Sequence, residues 1–193
     1  MGLVIFDLGD VIMMNCRSLR SMAEELGIND EDFIIDYKRY NAALMDGWCT
    51  TRDYYRHLEI EYGVEIKGEL FTENYNPTIN SYVMDMVRKL KIAGHRVVIG
   101  SNTFECYNQW TKKNLPGFYA NFSSIYLSNQ IHRSKPDPSF WRYIMEIEGF
   151  SPSDTYFVDD RKENIDSASS LGIKSYLYDG DNKDLEKFFK PLF

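Results

Sequence analysis

Apolar residues along the chain recur in two rhythms. Leu3-Val4-Ile5-Phe6 is a short unbroken apolar run, the pattern of a strand buried on both faces. Residues 96–100, 124–127, 155–158 and 174–177 read the same way. Between the last four of these runs the period becomes helical. Val83, Met86, Val87, Leu90 and Ile92 mark a helix near 78–92, and Phe140, Ile144 and Ile147 another near 139–148. Ala168 and Leu171 mark a third near 162–171, closed by Gly172. Strand–helix alternation of this kind predicts an α/β fold, a parallel sheet with helices on both faces.

The stretch after the first strand departs from that rhythm. From Ile12 to about Pro77 there is no comparable strand run. Leu19, Met22, Ala23 and Leu26 form one apolar stripe, Phe33, Ile34, Tyr37 and Tyr40 a second, and Tyr54, Tyr55, Leu58 and Tyr62 a third. The pattern predicts an inserted bundle of about four helices. Such an insertion either covers the carboxyl end of the first strand, where open α/β sheets bind ligands, or simply packs against the sheet.

Composition narrows the class. A chain of 193 residues is one domain, or one domain carrying an insertion. Its 44% hydrophobic and 15% aromatic content excludes a disordered chain. With 29 acidic against 22 basic residues the net charge is −7, and no basic stripe suggests a nucleic-acid partner. No apolar run approaches the roughly 20 residues of a membrane span, and residues 1–10 lack the pattern of a signal peptide. Cys16, Cys49 and Cys106 have no metal-ligand spacing and read as free thiols, so a cytoplasmic protein is expected. A monomer and a homodimer both remain open.

Candidate chemistry collects after the strand runs. Asp7 follows the first strand directly, a place for a ligand-edge carboxylate, although Asp also opens turns and caps helices. Ser101-Asn102-Thr103 ends the second run, as an anion site or as an N-cap. Lys135 lies between Ser134 and Pro136, in a loop stiffened by Pro136 and Pro138. Asp159 and Asp160 end the fourth run, with Asn164 and Asp166 just beyond. Three carboxylates at one sheet edge repel unless one is protonated or a cation intervenes. Oxygen-only ligands select a hard cation, and Mg²⁺ suits few carboxylates plus water and phosphate oxygens. The economical reading is that Asp7 attacks phosphorus to form an aspartyl-phosphate. Mg²⁺ and Lys135 would neutralise the transferring group, and Ser101 with backbone amides would hold its oxygens.

These motifs, in this order, resemble those of haloacid dehalogenase (HAD) superfamily phosphohydrolases. Asp7-Leu8-Gly9-Asp10-Val11 resembles the first motif, Ser101-Asn102-Thr103 the second, Lys135-Pro136 the third, and Val158-Asp159-Asp160 with Asn164 the fourth. The resemblance implies a Rossmann-like doubly wound core made of residues 1–13 and 79–193, with a C1-type helical cap at 14–78. It implies Asp7 as nucleophile and metal ligand, and the Gly9 backbone carbonyl, Asp160 and Asp159 as further ligands of Mg²⁺. Ser101, Asn102 and Lys135 would bind phosphate, and Asn164 would orient the acids. Phe6-Asp7-Leu8-Gly9, Gly94-His95-Arg96-Val97-Val98 and Glu148-Gly149-Phe150-Ser151-Pro152 more narrowly resemble the bacterial α-D-glucose-1-phosphate phosphatases. The expected substrate is a small phosphorylated metabolite such as a sugar 1-phosphate. The alternatives are a HAD protein that binds a phosphorylated ligand without catalysis, or a metal-free haloacid dehalogenase.

One position departs from the common pattern. Where most such phosphatases carry a second Asp two residues after the nucleophile, this chain has Gly9. Asp10, one position on, reads as a loop residue suited to positive φ. In the expected cap, Trp48 either stacks on the leaving group or packs between helices, and Met13 and Met14 sit at the hinge. His57, His95 and His132 form no cluster in the sequence and are given no role.

Overall fold

The computed structural model describes residues 1–16, 19–73 and 75–193. In chain order the elements are β1 (Leu3–Phe6), β2 (Met13–Met14), α1 (Leu19–Leu26), α2 (Asp30–Met45) and α3 (Thr51–Tyr62). Then come β3 (Thr78–Ile79), α4 (Ser81–Ile92), β4 (Arg96–Ser101), α5 (Glu105–Asn114), β5 (Ser124–Leu127) and α6 (Ser128–Ile131). The chain closes with α7 (Pro138–Glu148), β6 (Thr155–Asp159), α8 (Lys162–Ser170), β7 (Lys174–Leu177) and α9 (Asn182–Phe189). No described helix is long and apolar enough to cross a membrane.

The five longer strands form one parallel sheet in the order β5-β4-β1-β6-β7. The central strand β1 is buried throughout, as its unbroken apolar run requires. Its alternate residues serve opposite faces. Val4 and Phe6 join a core with Val87, Leu90 and Phe189, while Leu3 and Ile5 join Phe140, Trp141 and Ile144. Gly100 permits the second packing, since a Cβ there would lie 2.7 Å from Ile5 Cγ2 and 3.2 Å from the Phe140 ring. Connections from β1 run first to one side, through β4 and β5, and then back to the other, through β6 and β7. The carboxyl end of β1 is therefore a topological switch point, with a crevice flanked by β4 and β6.

The outer strands differ from expectation. Residues 174–177 form an edge strand whose Lys174 and Leu177 are exposed, and β5 at the other edge is only half-buried at Ser124 and Ile125. Lys174, Ser175 and Ser124 suit such places, since at a sheet edge one side of the strand has no neighbour. The helix expected near 78–92 begins at Ser81, after the short strand β3, with Asn80 as its cap.

The stretch from Ile12 to about Pro77 is helical, as its stripes predict, but holds three helices among the described residues rather than about four. Residues 64–73 and 75–77 are irregular apart from a turn near 69–73. Asn29 caps α2 by accepting from the Glu31 and Asp32 amides, and Thr50 with Asp53 forms a capping box on α3. Met22, Phe33, Tyr54, Tyr55, Leu58 and Phe71 build a separate core, joined from the α/β layer by Phe104. Inside it Asp36 is buried, and His57 Nε2 stands 2.6 Å from its carboxylate. The stretch enters and leaves through a two-stranded antiparallel ribbon that its sequence does not signal, Met13 against Ile79 and Met14 against Thr78.

Candidate active site

The chain reaches the switch point first at Asp7. The sheet ladder continues one residue past β1, where the Asp7 amide donates to Val158 O at 2.9 Å. The turn then folds tightly, with the Ile12 and Met13 amides both donating to the Leu8 carbonyl. Asp10 takes φ of 52°, the left-handed conformation expected for a loop residue there. No hydrogen bond takes the Gly9 carbonyl among the described residues.

Lys135 ties the strand ends together. Its side chain is 1% exposed, and Nζ donates to Asp7 Oδ1 at 2.7 Å, Asp159 Oδ2 at 2.7 Å and the Gly100 carbonyl at 2.9 Å. Asn102 fixes the backbone that carries it, because its Nδ2 donates to Lys135 O at 2.7 Å and its Oδ1 accepts from Lys135 N at 2.8 Å. Asp159 accepts three hydrogen bonds: beyond that from Lys135, its Oδ1 accepts from the Arg161 amide at 2.8 Å and from Asn164 Nδ2 at 2.9 Å. Asp160 is half-buried and makes no ion pair among the described residues. Ser101 is buried, with only a long 3.4 Å contact from its hydroxyl to Asn102 O. The N-cap position of α5 is Phe104, without a side-chain cap, so neither Ser101 nor Thr103 serves that helix.

Three carboxylates, those of Asp7, Asp159 and Asp160, offer oxygens within 4.8 Å of one another. Burial pushes the Asp7 carboxyl up to about 7, with Asp159 and Asp160 adding to the rise and Lys135 opposing it. Asp160 is raised as well, by burial and then by Asp159. Lys135 is held charged: burial opposes its proton, but Asp7 and Asp159 outweigh that and raise its pKa. If all four groups are ionised the cluster carries −2, the charge a divalent cation cancels. Asp7, Asp160 and the Gly9 carbonyl accept fewer hydrogen bonds than Asp159, which offers an oxygen to the same cluster and also anchors Lys135.

A cavity of about 220 Å³ opens over these groups. Asp7, Ser101, Asn102, Lys135, Asp160 and Asn164 line its floor, so the fold gathers nearly all the residues singled out in the sequence. Trp48 is not among the lining residues. It is 71% exposed and stacks on His132, with ring centroids 4.5 Å apart, so it occupies neither of the places expected of it. Asp166 lies on the surface, paired with Lys162. His95 accepts from the Gly2 amide, and none of the three histidines lines the cavity. The wall opposite the floor was not foreseen. Cys16, Met45, Tyr75, Tyr107, Thr111 and Tyr119 come from separate segments, and only the tertiary fold brings them together. Met13, one of the two expected hinge residues, also lines it.

Comparison with known proteins places this geometry. The profile of the haloacid dehalogenase-like hydrolase family matches residues 1–172. A D-ribitol-5-phosphate phosphatase from Bacteroides thetaiotaomicron is 25% identical over 90% of this chain and 89% of its own length. Drimenol cyclase drtB from Aspergillus calidoustus is 24% identical over 91% of this chain, which spans only 33% of that larger protein. Among solved structures, a HAD family enzyme from Bacteroides thetaiotaomicron superposes with a TM-score of 0.81 at 23% identity, covering 98% of both chains. The same enzyme crystallised with magnesium and inorganic phosphate gives a TM-score of 0.77 at 22% identity, covering 94% of this chain and 96% of that one. The match over most of its length shows that the chain belongs to the haloacid dehalogenase-like hydrolase family.

Proposed function

We propose that the protein is a Mg²⁺-dependent phosphatase that acts on a small phosphorylated metabolite through an aspartyl-phosphate at Asp7. The observation that carries this reading is the charge of the site: the carboxylates of Asp7, Asp159 and Asp160, which with Lys135 sum to −2 when all are ionised, gathered at a cavity that also presents Ser101. The magnesium and phosphate complex of the structural neighbour supports the choice of ion and ligand. Residues 14–78 act as a C1-type cap over a core of residues 1–13 and 79–193.

The residues present fit the ion. Asp7, Asp160 and the Gly9 carbonyl would hold it, with Asp159 supporting them through Lys135 and Asn164. When bound, Mg²⁺ keeps Asp7 ionised and offsets negative charge on the phosphoryl group. The Ser101 hydroxyl and backbone amides at the β4 exit receive the phosphoryl oxygens, and Lys135 screens them. An Asp7 carboxylate oxygen attacks phosphorus, the ester oxygen leaves with the alcohol, and water then hydrolyses the acyl phosphate to free Asp7.

Gly9 bears on the substrate. Without a carboxylic acid at that position, leaving groups that need little protonation are favoured. An anomeric sugar oxygen is one such group, so sugar 1-phosphates should outrun the matched 6-phosphates. The D-ribitol-5-phosphate phosphatase relative supports a sugar or polyol phosphate as the class. The test is phosphate release from sugar 1-phosphates, sugar 6-phosphates, a polyol phosphate and an aryl phosphate, with Mg²⁺ and with chelator. Turnover that requires metal and disappears in Asp7→Asn supports the proposal. Equal rates on matched 1- and 6-phosphates would remove the leaving-group argument. Absence of turnover on every substrate would leave a phosphate-binding protein.

A further inference from the structure

A second cavity, of about 180 Å³, adjoins the first and shares four of its walls, Met45, Asn102, Thr103 and Tyr107. Its remaining lining is apolar or aromatic: Leu19, Met22, Tyr37, Phe71 and Phe104. The polar groups at its mouth are already engaged. Both ends of the Asn102 amide bind the Lys135 backbone, and the Thr103 amide donates to Ser128 Oγ at 3.0 Å while its hydroxyl turns to Phe104 O. Apart from the Tyr37 and Tyr107 hydroxyls, the chamber therefore presents hydrocarbon and aromatic rings beside the anion-binding floor. Close-packed interiors do not keep an apolar void of this size without losing dispersion contacts along its walls. Met22, Phe71 and Phe104 are buried, whereas Leu19, Tyr37, Met45 and Tyr107 are only partly so, and of these Met45 and Tyr107 line both cavities.

We propose that this chamber binds a short apolar arm on the alcohol of the substrate, so that the protein takes phosphate monoesters of alcohols carrying an alkyl or aryl group next to the ester. The inference rests on the phosphatase reading and narrows it. The phosphoryl group sits over Asp7 and Ser101, hydroxyls of the alcohol face Tyr75, Thr111 and Tyr119, and the hydrocarbon turns past Met45 toward Phe71. Met45 suits that position, since its unbranched side chain adapts to the shape of what passes it. The reaction is unchanged: ester plus water gives the alcohol, with its hydroxyls and apolar arm, and inorganic phosphate.

The test is calorimetric binding of n-alkylphosphonates, methyl through pentyl, to the Mg²⁺-loaded protein. These probes bind without turnover, so their affinities report the chamber whether or not a good substrate is known. Affinity should rise about fourfold with each added methylene until the chamber is full. Leu19→Trp fills the chamber from its partly buried rim and should flatten that slope. Leu19→Phe serves if the larger ring prevents folding, judged by circular dichroism. Equal affinity along the series in the wild-type protein would overturn the inference and leave the phosphatase reading intact. A slope that survives in a folded Leu19 variant would also overturn it, by placing the hydrocarbon elsewhere. Failure of even methylphosphonate to bind would contradict the phosphate site on which the inference stands.

Discussion

Lys135 donates to three buried acceptors, and two of them are carboxylates from different strands. Its ammonium also lies over two rings, 5.8 Å from the Phe140 centroid and 5.4 Å from the Phe157 centroid. Lys135→Met keeps the stem and deletes the charge. Asp7 and Asp159 are then left buried without a cation, and removing one partner of a buried pair costs about 3–5 kcal/mol. Urea unfolding in chelator should show that loss, and added Mg²⁺ should recover part of it, because the ion supplies positive charge to the same carboxylates. A variant as stable as the wild-type protein would mean that the acids protonate rather than depend on Lys135. At this scale the sequence was informative where chemistry follows a strand. Asp7, Ser101, Lys135 and Asp159-Asp160 each come directly after an apolar run or in a proline-stiffened loop, so their convergence could be read from order alone. Cys16, Tyr75 and Tyr119 could not, because each looks like one of many half-buried residues until the insertion folds over the sheet. Trp48 misled for the converse reason: a large aromatic in a loop looks like a ligand platform, and here it covers His132 instead.

Glu148, the last residue of α7, joins that helix to two strands. Its carboxylate accepts from the Arg96 guanidinium on β4, including Nη2 at 3.2 Å, and from the Tyr126 hydroxyl on β5 at 2.6 Å. Burial pushes this carboxyl up, but the hydrogen bonds from Arg96, Tyr126 and Ser124 outweigh burial and hold it below its usual value. A carboxyl with a depressed folded pKa contributes stability above its unfolded pKa and loses it as acid protonates the folded form. Glu148→Gln should therefore destabilise by about 1 kcal/mol near neutrality, a modest figure because the Arg96 side chain is 41% exposed and screened. The difference from wild type should be full above about pH 5 and shrink as pH falls through the depressed pKa of the folded carboxyl. Thermal unfolding from pH 3 to 7 measures it, and a gap independent of pH would mean that packing rather than charge links α7 to the sheet. At the element scale the strands and core helices were legible from periodicity, whereas edges were not. Residues 174–177 carry Lys174 and Ser175, and the strand they form is half-exposed because it lies at the sheet edge with a neighbour on one side only. Helix α9 gave little warning because its stripe is short, although Leu185 and Phe189 are fully buried and Phe189 packs on Phe6. The β2–β3 ribbon, two residues a side, lies below the length at which alternation can register.

The molecule as a whole concentrates negative charge where its sheet changes direction. Asp7 titrates at about 7 in the folded chain, above the ordinary carboxylate value that it has when unfolded. Between those two values the folded protein holds more protons than the unfolded one, so in the absence of metal this group makes stability fall as pH rises. Mg²⁺ competes with that proton, and its stabilisation should grow across the same window. At a hundredfold excess over its dissociation constant the ion adds about 2.7 kcal/mol. Melting curves at pH 5.5 and 8, with Mg²⁺ and with chelator, should show the larger metal-induced shift at pH 8. An equal shift at both values would separate metal binding from Asp7.

Asp7 as the phosphorus-attacking group is the claim on which the functional account depends, and chemical trapping of the intermediate tests it most directly. The protein is mixed with Mg²⁺ and a turned-over sugar phosphate, quenched in acid, and reduced with borohydride, which converts an acyl phosphate to the corresponding alcohol. Peptide mass spectrometry should find homoserine in place of Asp7 in the wild-type protein and no such change without substrate. Phosphate release at the same rate with Asp7 unmodified, or reduction at a different carboxylate, would contradict the account.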